Sequence, residues 1–214
     1  MGGFFNPEKG IWAFLSWMVD IFGLSLLWAA LCMPVVTIGP ATAALYYTVV
    51  KCVRKQENGA FGVYLRSFRS NLKTGLKATL IALPPAVILV AAHLVSRWYG
   101  TRAGGLLYVM YVAQYFVLFI PAGVLCWLFP LLGRFEYQVR DLFRTAFQLT
   151  LAHLPSTVAV VVLTAQAAAF CAAFWWPVLF MPAVVTLLDS LFTERVFRKY
   201  APELEGKGPE DAVE

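Results

Sequence analysis

From Leu106 to Leu132 the chain carries no charged residue. An α-helix needs about 20 apolar residues to cross the hydrocarbon of a bilayer. This run therefore restricts the fold to one that uses lipid as part of its solvent. Thr79–Val95 and Leu154–Trp176 read as spans in the same way, as does a first helix from Pro7 to about Met33. Prolines inside such runs (Pro84, Pro85, Pro121, Pro130) are tolerated where neighbouring helices cover the carbonyls they free. Of the 214 residues, 60% are hydrophobic and 14% charged, whereas a soluble domain is about 25% charged. The expected fold is all-α: a polytopic transmembrane helical bundle of five to six spans with interfacial amphipathic helices. Residues 1–200 form one helical membrane domain, and the acidic, Gly/Pro-containing residues 201–214 are expected to be disordered.

Orientation follows from one polar stretch. Lys51, Arg54, Lys55, Arg66, Arg69, Lys73 and Lys77 stand there against a single acid, Glu57. Basic residues bordering spans stay in the cytoplasm, which also places the N- and C-termini on the cytoplasmic side of a bacterial plasma membrane. The cations suit anionic lipid headgroups or a partner surface, and their position beside apolar runs argues against nucleic acid. Phe61, Tyr64, Leu65, Phe68, Leu72 and Leu76 recur at helical spacing beside these cations, as in a helix lying in the membrane interface over about 60–77. A second amphipathic helix is expected over 134–147. Between the first helix and this segment lies an uncharged turn bounded by Pro34, Gly39 and Pro40, then a short helix, Ala41–Val53. If that helix crosses, the turn is external and the chain crosses six times. If it is re-entrant, there are five crossings and the N-terminus is outside.

Few residues offer chemistry. Asp20 and Asp189 are the acids within apolar runs, where a charge costs about 2.5–3.5 kcal/mol at a helix centre. They read as a structural contact of the first and last helices, or as a proton- or cation-coupling pair. His93 and His153 fall near opposite faces of the membrane and suit hydrogen-bonded structural roles rather than a shared metal. Ala165, Ala169 and Ala173 form a small-residue ridge that lets another helix approach closely. Four cysteines sit singly, with no C-x-x-C pair, and no catalytic, metal or cofactor motif is present in the sequence.

Several strings resemble a known family, the YesL-like small integral membrane proteins of bacteria, a domain of unknown function. They are Met1-Gly2-Gly3-Phe4-Phe5-Asn6-Pro7, Asp20 with Trp28, Pro34-Val35-Val36-Thr37-Ile38-Gly39-Pro40-Ala41 running on to Ala44-Leu45-Tyr46-Tyr47, and Arg195-Val196-Phe197-Arg198-Lys199-Tyr200. Ser25 stands where the family pattern has Asn. The resemblance implies association with carbohydrate uptake systems of the ABC type and supplies no catalytic residues. The expected function is therefore non-enzymatic and without cofactor: an accessory or interaction subunit that docks through the basic face and the alanine ridge. Sugar ABC-transporter subunits are the implied partners, and self-association is compatible with the ridge. The alternative is a small solute permease or channel, motivated by the proline-containing helices and the two intramembrane acids.

Overall fold

The computed structural model describes residues 7–54, 59–103, 105–135 and 137–204. Seven α-helices lie among them: α1 (Pro7–Leu31), α2 (Ile38–Thr48), α3 (Ala60–Ala103), α4 (Gly105–Arg134), α5 (Val139–Ala152), α6 (Leu154–Ala173) and α7 (Met181–Leu204). Four apolar helical segments are long enough to cross a membrane: Val35–Val53, Ala60–Tyr99, Tyr108–Arg134 and Leu154–Ala173; Trp17–Leu31 is apolar but shorter. An all-α bundle with these features is a membrane protein.

The Pro34–Pro40 stretch is tighter than a loop. Val35–Thr37 forms a single 3-10 turn, and Gly39 and Pro40 already belong to the first turn of α2, where a proline removes no helical hydrogen bond. The Thr37 hydroxyl lies 2.5 Å from the Leu31 carbonyl, an acceptor left open at the end of α1, and 2.6 Å from the Pro34 carbonyl of its own turn. At its other end α2 widens into a π turn, Val49–Val53, closed by the Arg54 N–H on the Val49 carbonyl at 2.9 Å.

Three expected boundaries move. The helix over 60–77 and the span over 79–95 are one unbroken helix, α3, which continues to Ala103. Its 44 residues make a rod about 66 Å long, about twice the thickness of bilayer hydrocarbon. The second amphipathic helix begins at Val139, not Arg134, because Arg134 closes α4 and Gln138 is extended. Finally, α7 continues through Leu204, inside the tail expected to be disordered; residues 205–214 lie outside the described residues.

Helix α2 is the hub, and small residues let it sit there. A Cβ on Gly39 would meet the Thr79 hydroxyl at 2.0 Å, and one on Gly133 would meet the Ala43 carbonyl at 2.4 Å, so α3 and α4 approach the α2 backbone directly. Gly39 lies beside Gly75 and Thr79, while Val49, Cys52 and Val53 pack with Ala60 and Tyr64. Helix α2 therefore runs antiparallel to the first half of α3. One face of α2 joins a core with Ile21 and Leu24 of α1 and Ala183 of α7. The opposite face, through Ala43 and Tyr46, joins a second core with Trp127, Leu131, Leu142 and Phe197. Three rings meet Phe197 edge-on, with centroids 5.7–6.4 Å away: Tyr46, Trp127 and Phe135.

Leu80, Ile81, Ile88, Leu106 and Phe116 are exposed on the α3–α4 hairpin, as lipid-facing side chains would be. On the first half of α3 the same holds for Phe61, Leu65 and Leu76, while Tyr64, Ser67, Ala78 and Thr79 are buried.

Candidate functional site

Cations decide where the site lies. Along α3 the positions Arg66, Ser70, Thr74 and Lys77 recur every three to four residues and form one stripe of the helix. Facing that stripe are Tyr47 and Lys51 from the end of α2, and Arg134, Tyr137 and Gln138 from the turn between α4 and α5. The space enclosed is a cleft of about 1100 Å³. Among the described residues that line it, none is a carboxylate.

Each wall has a local cause. Lys51 stands in the π turn, whose extra residue per turn re-aims side chains; its ammonium donates to the Tyr47 hydroxyl at 3.2 Å and lies 5.5 Å from that ring's centroid. Ser70 and Asn71 donate to the Ser67 carbonyl, each at 3.0 Å, and so are fixed against the helix. Burial, followed by the charge of Asp141, raises the Tyr137 phenol above its usual pKa, so it stands neutral as a hydroxyl donor.

Arg134 is held from behind. Its guanidinium pairs with Glu194 of α7, whose side chain is 6% exposed against 32% for the arginine. The same carboxylate accepts from the Tyr46 hydroxyl at 3.1 Å, and that hydroxyl also lies 2.8 Å from the Thr193 hydroxyl. Thus α2, α4 and α7 are tied at the basic end by one buried acid. Sequence reasoning passed over Glu194 and Tyr46. The available signal was a single acid at helical spacing from Ser190 and Phe197, on the face of α7 that is buried.

The seven cations singled out in the sequence therefore separate. Lys51, Arg66 and Lys77 line the cleft, joined by Arg134; Arg54, Arg69 and Lys73 are exposed outside it. Lys55 lies outside the described residues.

The other candidates do not assemble with this site. Asp189 accepts from the Thr164 hydroxyl of α6 at 3.1 Å, so its partner is a neutral side chain and not Asp20. Its other oxygen, Oδ1, is buried with no hydrogen-bond partner among the described residues. Asp20 is half-buried on α1. His93 packs against the rings of Tyr111 and Tyr115 on α4, at 5.6 and 4.8 Å. His153 joins α5 to α6, far along the chain from that cluster, and burial followed by the charge of Lys199 lowers its pKa. Among the described residues no three His, Cys, Asp or Glu side chains form a metal-holding group. Ala165, Ala169 and Ala173 are all exposed, so among the described residues the ridge is not covered by another helix. Ser25, by contrast, is fully buried and accepts the Ala183 N–H at 3.2 Å, satisfying the start of α7.

No curated protein and no solved structure matches the chain. Residues 21–92 match the model of a family described as a protein of unknown function, DUF624, a stretch that carries the end of α1, the α2 hub and α3 as far as Ala92.

Proposed function

We propose that this chain is a YesL-like accessory subunit of the bacterial plasma membrane, non-enzymatic, that serves a carbohydrate uptake system of the ABC type. The observation that supports it is the set of cations at one end of the bundle. Arg69, Lys73, Arg140, Arg144, Arg195 and Arg198 are exposed as well, and such cations suit an acidic partner or anionic headgroups. By the bias of basic residues toward the cytoplasm, this end and the C-terminus face inward. The α3–α4 hairpin beyond Thr79 then lies in lipid. Helix α2, which runs beside the cationic half of α3, sits at the inner boundary rather than across the bilayer; this is the re-entrant alternative. Extraction in a mild detergent tests the function. Co-purification with sugar ABC-transporter subunits, and loss of sugar uptake on deletion, are expected. Recovery of the chain alone, with uptake unchanged in the deletion strain, overturns the reading.

A small permease is the second reading, favoured by the unpartnered buried oxygen of Asp189 between α6 and α7. Reconstituted chain would then carry a solute into liposomes, and Asp189→Asn or Asp20→Asn would abolish the flux. Absence of flux for sugars and ions alike removes this alternative.

A further inference from the structure

We propose that the cleft between α2, the first half of α3 and the α4–α5 turn is a binding site for a phosphate-bearing anion. Four cations, Lys51, Arg66, Lys77 and Arg134, are drawn into one concavity; Glu194 reaches Arg134 from outside it and Asp141 acts on Tyr137, while no carboxylate among the described residues lines the cleft. Like charges gathered in a partly enclosed space repel more strongly than on an open surface, because less water screens them. An anion in the cleft relieves that repulsion. Arg66, Lys77 and Thr74 make no hydrogen bond or ion pair among the described residues, so their donors are uncommitted. Arginine forks, ammonium groups and hydroxyls are the set that recognises phosphate oxygens.

The shape narrows the class. Arg66 and Lys77 are eleven residues apart on one helix, which separates their backbones by about 16 Å. A bare phosphate fills one end of such a site. Val63, Leu132 and Val139 add apolar wall and Tyr47 and Tyr137 add rings, which suits the organic body of a phosphoester. The ligand chemistry is thus a phosphomonoester or phosphodiester with a polar body, from either of two sources: a glycerophospholipid headgroup of the adjacent leaflet or a soluble phosphoester. This inference stands apart from the accessory role, since a ligand can bind whether or not a transporter subunit does.

The full chain in nanodiscs of phosphatidylcholine is titrated calorimetrically with glycerol 3-phosphate and with pyrophosphate. In a second arm, native mass spectrometry measures retention of phosphatidylglycerol from mixed nanodiscs. Two variants of equal charge change are compared, Arg66→Gln/Lys77→Gln in the cleft and Arg69→Gln/Lys73→Gln outside it, and Thr74→Val removes one donor without changing charge. All five side chains are exposed or half-buried, and unchanged melting shows that the fold is intact. The cleft pair is expected to weaken binding at least tenfold, Thr74→Val severalfold, and the outer pair less than twofold. Binding of the soluble probes identifies a soluble ligand, whereas retention of phosphatidylglycerol alone identifies a headgroup. Equal losses from the two pairs would mean a diffuse surface field and would overturn the site. So would the absence of binding in both arms.

Discussion

Arg134, the last residue of α4, is paired with Glu194 of α7, and the pair is unequal: the acid is buried and the base is one-third exposed. The Tyr46 hydroxyl of α2 donates to the same carboxylate. Three helices that share no sequence neighbourhood are therefore registered by one charge. The same contact orients a guanidinium at the rim of the basic cleft.

That inequality predicts an order of damage. Arg134→Met strands Glu194 in a buried position with the Tyr46 donor as its remaining hydrogen bond, and loss of a buried pair member costs about 3 kcal/mol. Glu194→Gln leaves Arg134 able to reach water and keeps an oxygen for Tyr46, so it costs less, about 1 kcal/mol. Thermal melting in detergent checks this, and a larger loss from Glu194→Gln than from Arg134→Met contradicts the arrangement.

Glycine substitutions at two positions should act in opposite directions. A Cβ on Gly133 would lie 2.4 Å from the Ala43 carbonyl oxygen, which is backbone and cannot swing away. Gly133→Ala is therefore expected to destabilise the bundle by about 1–3 kcal/mol. Nothing lies within 4 Å of a Cβ on Gly62, so Gly62→Ala is expected to add about 0.5 kcal/mol by restricting the unfolded chain. Melting temperatures of the two variants, measured side by side, decide the point.

The depth of α2 is open to direct labelling. Between Lys73 and Tyr99 the helix rises about 39 Å, more than the hydrocarbon of a bilayer. Val36 and Lys73 lie on the part of the molecule where α2 and the first half of α3 run side by side, and all three side chains are exposed. With Cys introduced singly at these positions, an impermeant thiol reagent should reach Val36→Cys and Lys73→Cys from one side and Tyr99→Cys from the other. Labelling of Val36→Cys and Lys73→Cys from opposite sides would restore a crossing α2.

His153 sets a modest acid sensitivity. Burial and the nearby Lys199 lower its pKa in the fold. Below about pH 6.5 the unfolded chain therefore takes up a proton more readily than the folded one, and stability falls as pH falls. It is fully present above pH 6.5 and is lost progressively toward the lowered pKa. His153→Gln should flatten this part of the stability profile; an unchanged pH dependence in that variant assigns it elsewhere.

Much of the fold was legible because hydropathy is a local property. The helical character of α1, the spans within α3, α4 and α6, and the helical cationic face of Arg66 to Lys77 all follow from residue type and spacing. The continuity of α3 was not legible. Cations and apolar residues change over near Thr79, which looks like an element boundary, yet the backbone hydrogen bonds of a helix do not respond to that change. Pro84 and Pro85 sit within the helix, as prolines tolerated inside an apolar run do. The ridge of Ala165, Ala169 and Ala173 illustrates the reverse limit, since small size permits close packing without dictating it.

By itself the sequence determined that the chain is helical, that lipid covers much of it, and that positive charge collects at one end. These depend on the free energy of placing each residue in water or hydrocarbon, which neighbours in sequence largely settle. Only the tertiary structure decided that Lys51, Arg66, Lys77 and Arg134 share one cleft while Arg69 and Lys73 do not, and that Glu194 is the acid joining three helices. Those outcomes depend on which faces pack and how closely. Here that was set by Gly39 and Gly133, which have no side chain and so let α3 and α4 close on the backbone of α2.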